Sequence, residues 1–299
     1  ASAKGGGHVC IERYLVEQPT RKADEKHIHE QFHSEWNIPR FEQDFPGVVR
    51  HTVMVLGYMS AVGESLNVDP RVDFKVHMDL QMHALATQPA YAGLAKRDQL
   101  GVYAGHLPLV EVNSTFHALQ PVCNFEKWTD DTPDGFVMNV KAYKAITGQG
   151  KDPQGRSVEE LLRMQSYSVT PLRAAGKFGA WLFQFPPWFR PGKRADALFD
   201  TARHELDDDL IAIEVRHPSW FDPGHRDETL NRWRDLAFIN VIVDEPHPEL
   251  TGLLPTVPVV TNPALAYFRF MGRDALGALI GKETRERHRA REDYFYTEE

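Results

Sequence analysis

Between residues 105 and 270 six short apolar runs recur: 109–116, 135–142, 179–185, 210–216, 238–244 and 266–270. Most are nearly continuous in Val, Ile, Leu and Phe, as expected of strands buried on both faces. Segments rich in helix formers lie between most of them: 124–131, 193–206, 227–236 and a stretch opening at Ser157-Val158-Glu159-Glu160, a capping-box pattern. Another, 95–104, leads into the first run, and Pro171 is expected to split the helix that begins after Ser157. Strand alternating with helix implies a parallel sheet covered by helices. With one or two more strands expected before residue 90, the count fits an α/β fold of TIM (β/α)8 type, incomplete or with an atypical N-terminal portion. A doubly wound open sheet is the alternative, but neither G-x-G-x-x-G nor a P-loop supports a nucleotide site.

The runs share a second property: charged or amide residues stand towards their ends. These are Glu111 and Asn113, Lys141, Gln184, Glu214 with Arg216 and His217, Asp244, and Arg269. Parallel strands in a barrel gather their C-terminal ends at one face, where active sites are built. Glu111, Lys141, Glu214 and Asp244 are therefore the catalytic candidates, and Asn113, Gln184, Arg216, His217, Trp220 and Arg269 the substrate-binding ones. The carboxylates suit general acid and base work. Glu111, Glu214 and Asp244, helped by His217, could instead hold a divalent metal. Arg216, Arg269 and Lys141 suit a phosphate or carboxylate, and Lys141 could form a Schiff base with a carbonyl substrate. Mutual pairing that merely ties the strand ends together is the plainer reading of any one residue, less so of the whole set. Phe116, Trp188, Trp220 and Phe221 read as rim packing that could form one wall of a pocket.

The chain carries 34 Lys and Arg against 42 Asp and Glu, a net charge of −8. That balance argues against non-specific binding to nucleic acid. Its two cysteines, Cys10 and Cys123, build neither a disulfide framework nor a CxxC metal site. No apolar run approaches the ~18 residues of a membrane helix, and the first seven residues lack the apolar segment of a signal peptide, so a cytoplasmic location is expected.

Residues 1–50 read as a polar, partly helical extension and 51–299 as a single barrel domain. The extension contains His29-Glu30-Gln31-Phe32-His33, a match to H-E-x-x-H, which on a helix could hold zinc with Glu30 as general base. Its charged flanks, Asp24-Glu25-Lys26 and Ser34-Glu35, are those of a solvated helix, and no third ligand can be nominated. The segment 51–58 is a strand candidate and 74–80 a weaker one. His77 and His83 flank Asp79, where half-buried histidines are the simpler reading than a metal site.

In order along the chain stand Tyr103-Ala104-Gly105-His106, Val110-Glu111-Val112-Asn113-Ser114-Thr115-Phe116, Trp128, Thr132-Pro133, Phe136, Val140-Lys141-Ala142 and Leu182-Phe183-Gln184-Phe185-Pro186-Pro187. Glu214-Val215-Arg216-His217-Pro218-Ser219-Trp220-Phe221, Asp244-Glu245-Pro246 and Phe268-Arg269-Phe270-Met271-Gly272-Arg273 follow. From about residue 90 this series resembles the YecE-like proteins (domain of unknown function 72), most of all the YunF-type branch. The resemblance implies a TIM barrel and supplies no reaction. Two departures stand out. The Gly-x-x-Gly-Trp-type segment that usually ends the family's first strand has no counterpart; 78–83 is the nearest placement and lacks both glycines. The chain also stops before the family's last strand, with its aromatic-Asn-Asn segment. An open barrel exposes strand edges, so a homodimer is expected, with 53–58 a candidate for the missing strand.

The reading that follows is a barrel enzyme using acid/base or metal-assisted chemistry on a small anionic substrate or phosphoester at the C-terminal face. A non-catalytic ligand-binding barrel and a zinc hydrolase run by His29, Glu30 and His33 are the alternatives.

Overall fold

The structure, a computed structural model, describes residues 93–105, 107–244 and 254–270. The H-E-x-x-H segment, the strand candidates before residue 90, and Glu245 and Pro246 lie outside the described residues.

Six parallel strands form one sheet in the order β1-β2-β3-β4-β5-β6, each hydrogen-bonded to its neighbour in sequence. They are β1 (Leu109–Val112), β2 (Val137–Lys141), β3 (Phe178–Gln184), β4 (Ile211–Glu214), β5 (Ile239–Asp244) and β6 (Tyr267–Phe270). The helices are α1 (Gln99–Ala104), α2 (Ser114–His117), α3 (Val122–Asp130), α4 (Val158–Ser168), α5 (Thr170–Ala174), α6 (Lys193–Leu206) and α7 (Arg226–Asp235). The result is an α/β fold whose sheet curls into a half-barrel. The curl is visible in side chains: Tyr267 on β6 hydrogen-bonds Glu111 on β1, although these strands stand at opposite ends of the order.

Alternation along each strand sorts residues into two layers. Met138, Val140, Trp181, Phe183, Phe185, Ile211, Ile213, Ile242 and Phe268 belong to the large core shared with the helices. Ala180, Leu182, Ala212, Ile239, Val241 and Tyr267 form a second cluster on the concave side. Burial of both faces explains why the strands read as continuous apolar runs.

Local chemistry sets the ends of the elements. Ser157 caps α4 reciprocally: its hydroxyl accepts from Glu160 N, and the Glu160 carboxylate accepts from Ser157 N. Pro171 stands in the first turn of α5, where its missing N–H costs nothing, so the expected helix divides there. Lys177, buried just before β3, donates to the carbonyls of Thr129 and Thr132 and to the Thr132 hydroxyl, fastening the end of α3 to the sheet. On the helix side of β5, Asn240 Nδ2 donates to the carbonyls of Val257 and Val259 and holds that extended segment against the strand.

Candidate functional site

Five strands send polar side chains to the concave face at their C-terminal ends. Glu111 is in step with Leu109, Lys141 with Asn139, Gln184 with Leu182, Glu214 with Ala212, and Arg269 with Tyr267. Burial makes each of these charges costly unless it is compensated. Glu111 is 4% exposed, Glu214 1%, Arg269 7% and Lys141 9%.

Arg269 supplies most of the compensation. Its Nη1 donates to Glu214 Oε2 at 2.6 Å and its Nη2 to Glu111 Oε1 at 3.3 Å, so one guanidinium bridges both carboxylates. Glu111 Oε2 accepts from the Tyr267 hydroxyl at 2.8 Å. Glu214 Oε1 accepts from Gln184 Nε2 at 2.8 Å and from Arg216 Nε at 2.8 Å, with Arg216 Nη2 at 2.7 Å. Burial alone would push the Glu214 carboxyl up; Arg269 and Arg216, aided by the Gln184 amide, outweigh it and hold the group at about 2.

Lys141 is different. Its ammonium stands 4.9 Å from the centre of the Phe116 ring and forms no ion pair or hydrogen bond among the described residues. Burial pulls its pKa below the usual lysine value, and the positive charges of Arg269 and Arg216 pull the same way, against Glu111 and Glu214. Its backbone is clamped from two sides. The Lys141 carbonyl accepts from Gln165 Nε2 at 3.0 Å and lies 2.7 Å from Thr115 Oγ1, while Gln165 Oε1 accepts from Tyr143 N.

The other candidates fall elsewhere. The chain turns helical at Asn113 (φ −83, ψ −20), so the alternation that would set Asn113 beside Glu111 stops short of it. Asp244 ends β5 in step with Asn240 and Ile242, which face the helix layer, not with Val241 of the concave cluster. Among the described residues Glu111, Glu214 and Asp244 do not form a group placed to hold a metal ion, and by period two Asp244 takes the parity of the helix-facing residues. Strand β4 stops at Glu214, before His217, and that imidazole serves its own loop. Its Nδ1 accepts from Ser219 N at 3.1 Å and lies 2.7 Å from Ser219 Oγ. Burial and the nearby Arg190 lower its pKa, consistent with an imidazole that accepts at Nδ1. Trp220 lies in the core rather than on a pocket wall: its indole donates to the Phe189 carbonyl at 2.8 Å and stacks on the Phe189 ring.

Sequence reasoning missed Tyr267, Thr115 and Gln165. Tyr267 was within reach, because it lies two residues before Arg269 on one strand and must share its face. Thr115 and Gln165 act through the backbone of Lys141 and leave no motif.

Arg269 fills the space between Glu111 and Glu214 where a shared cation would sit. Among the described residues no group of three or more His, Cys, Asp or Glu is placed to hold a metal ion. No helix among them is long and apolar enough to cross a membrane.

Comparison with known proteins agrees with this fold. The chain is 36% identical over 197 residues to UPF0759 protein YunF of Bacillus subtilis (strain 168), covering 64% of this chain and 69% of that one. It is 30% identical over 189 residues to UPF0759 protein YecE of Escherichia coli (strain K12), covering 58% of this chain and 66% of the relative. The crystal structure of a DUF72 family protein from Enterococcus faecalis V583 superposes with a TM-score of 0.58 at 37% identity, over 61% of this chain and 66% of that chain. One from Thermotoga maritima MSB8 superposes with a TM-score of 0.55 at 29% identity, over 70% and 76% of the two chains. Residues 83–299 match the model of the family described as protein of unknown function DUF72, and the chain belongs to that family.

Proposed function

We propose that this protein is an enzyme acting by acid/base chemistry on a small anionic substrate, at the C-terminal face of a TIM-type (β/α)8 barrel built from residues 51–299. The observation that carries the reading is the uncommitted ammonium of Lys141 beside a network already complete without it. Glu111 and Glu214 are satisfied by Arg269, Arg216, Tyr267 and Gln184. Among the described residues Arg216 and Arg269 engage these two carboxylates, and the Lys141 ammonium pairs with neither. Arg216, half-buried, spends its Nε and Nη2 donors on a single oxygen of Glu214. A guanidinium has five N–H donors, so three remain for an anion.

In this reading Arg216 orients the anion and Lys141, its pKa lowered by burial, exchanges a proton with the substrate. Arg269 positions the two carboxylates. A metal-assisted variant has less support, because the guanidinium of Arg269 already joins Glu111 to Glu214.

The test is thermal stabilisation by a panel of small anions (phosphate, acetate, malonate, pyruvate) against chloride at matched ionic strength. A rise in Tm that is lost in Arg216→Ala supports the reading. Equal response of the native chain and Arg216→Ala to every anion overturns it.

A further inference from the structure

We propose that Lys141 is a covalent nucleophile that forms a Schiff base with the carbonyl of a 2-oxo acid, whose carboxylate is held by Arg216. This deepens the functional reading above and rests on it for the anion site. Three features of the geometry converge.

Lys141 has no competing counterion: no carboxylate stands within 4 Å of its Nζ among the described residues, and both nearby carboxylates are engaged by arginines. Its immediate neighbour is an aromatic face, Phe116, which stabilises a cation weakly compared with water. A buried lysine beside other cations carries a larger share of neutral, nucleophilic amine than one on the surface. Its backbone is fixed by Thr115 and Gln165 on two different helices, so the reacting nitrogen swings from an immobile base. Anchoring of this kind supplies orientation, which a flexible surface lysine lacks.

The step balances without a further reactant. The Nζ lone pair adds to the carbonyl carbon, and the C=O π pair moves to oxygen. That oxygen takes a proton while the nitrogen loses one, giving the carbinolamine. The nitrogen lone pair then expels the hydroxyl, which leaves as water with a second proton from solvent, and the product is the protonated imine. Carbonyl, neutral amine and one proton give iminium and water, with no change of oxidation state. Starting from the neutral amine, the iminium adds one positive charge, which the carboxylate of the bound 2-oxo acid offsets.

The test treats the full chain at pH 7 with glyoxylate or pyruvate and sodium cyanoborohydride, followed by peptide mass spectrometry of the reduced adducts. Acetaldehyde serves as the carbonyl without a carboxylate. The expected result is an adduct at Lys141 with the 2-oxo acids, exceeding that at the exposed Lys127, absent in Lys141→Arg and reduced about tenfold in Arg216→Ala. A melting curve shows that each variant is folded. Adducts confined to exposed lysines overturn the proposal. If the anion panel still raises the Tm, the carbonyl inference fails alone. If neither adduct nor stabilisation is found, both readings fail. An adduct at Lys141 without anion stabilisation keeps the nucleophile and removes the anion site.

Discussion

Glu214 is ionised in a place where burial opposes it, and two arginines decide the outcome. Its carboxyl is held at about 2, against an ordinary value of 4.5. A depressed carboxylate stabilises the fold fully above its unfolded pKa and loses that contribution as pH falls from 4.5 towards 2. The shift corresponds to roughly 3 kcal/mol. Glu214→Gln is expected to flatten the acid limb of a denaturant-unfolding series over that window. It should also cost about 3–5 kcal/mol at neutral pH, because Arg216 and Arg269 lose their shared counterion. An acid limb identical to that of the native chain would show that the arginines do not hold Glu214 ionised. Lys141 has the opposite sign. Burial lowers its pKa, so the unfolded chain binds the proton more tightly, and stability rises as pH climbs from the folded value towards 10.5. Lys141→Met is therefore expected to melt no lower than the native chain at pH 7; a clear fall in Tm would make Lys141 a structural partner instead. Of the site, Glu111, Lys141, Gln184, Glu214 and Arg269 were legible because a strand end and a period of two suffice to place them. Asp244 was grouped with them by counting strand ends, without the parity that sets it in step with Asn240 and Ile242. His217 and Trp220 lie past the end of β4, where no period applies, and an aromatic there reads alike whether it lines a pocket or fills the core.

Among the elements, β2 and β3 show how tightly two neighbours can be matched. Their register shifts between Met138 and Val140, and the Asn139 side chain fills the irregularity, accepting a hydrogen bond from Ala180 N at 2.9 Å. Gly179 makes room for it. A Cβ there would collide with Asn139 Oδ1 and come within 2.6 Å of Val137 Cγ1. Gly179→Ala is expected to cost about 1–3 kcal/mol through this overpacking. Gly179→Ala combined with Asn139→Ala should recover part of the loss, since the second change removes the obstructing amide. Chemical denaturation of the two variants measures both, and a neutral Gly179→Ala would mean that β2 yields. Helix α6 was legible to the residue, and α4 was announced by its capping box. The four residues of α2 were not, because a single turn shows no periodicity, and the polar Ser114-Thr115 reads equally as loop. The bulge at Asn139 also left no trace, since it depends on what lies across the strand.

At the scale of the whole molecule, the curl of the sheet is held by side chains as well as by ladders. Strands β1 and β6 share no backbone pairing in the six-strand order, yet Glu111 meets both Tyr267 and Arg269 across the concave face. The sequence shows that the strands are parallel and ordered, but not how strongly the sheet bends, because curvature is set by contacts between residues more than 150 positions apart. If these contacts hold the curl, Glu111 and Tyr267 must be energetically coupled. Tyr267→Phe removes one hydrogen bond to a charged acceptor, and a loss of about 1.5–3 kcal/mol is expected. Glu111→Gln also weakens the bond to Arg269 and should cost more. The double variant should lose less than the sum of the two, by at least about 0.5 kcal/mol, because the second change removes an interaction already gone. Denaturant unfolding of the four proteins completes the cycle. Strict additivity would mean that Tyr267 and Glu111 do not meet in solution and that the sheet is flatter, which would also move Arg269 away from Glu111.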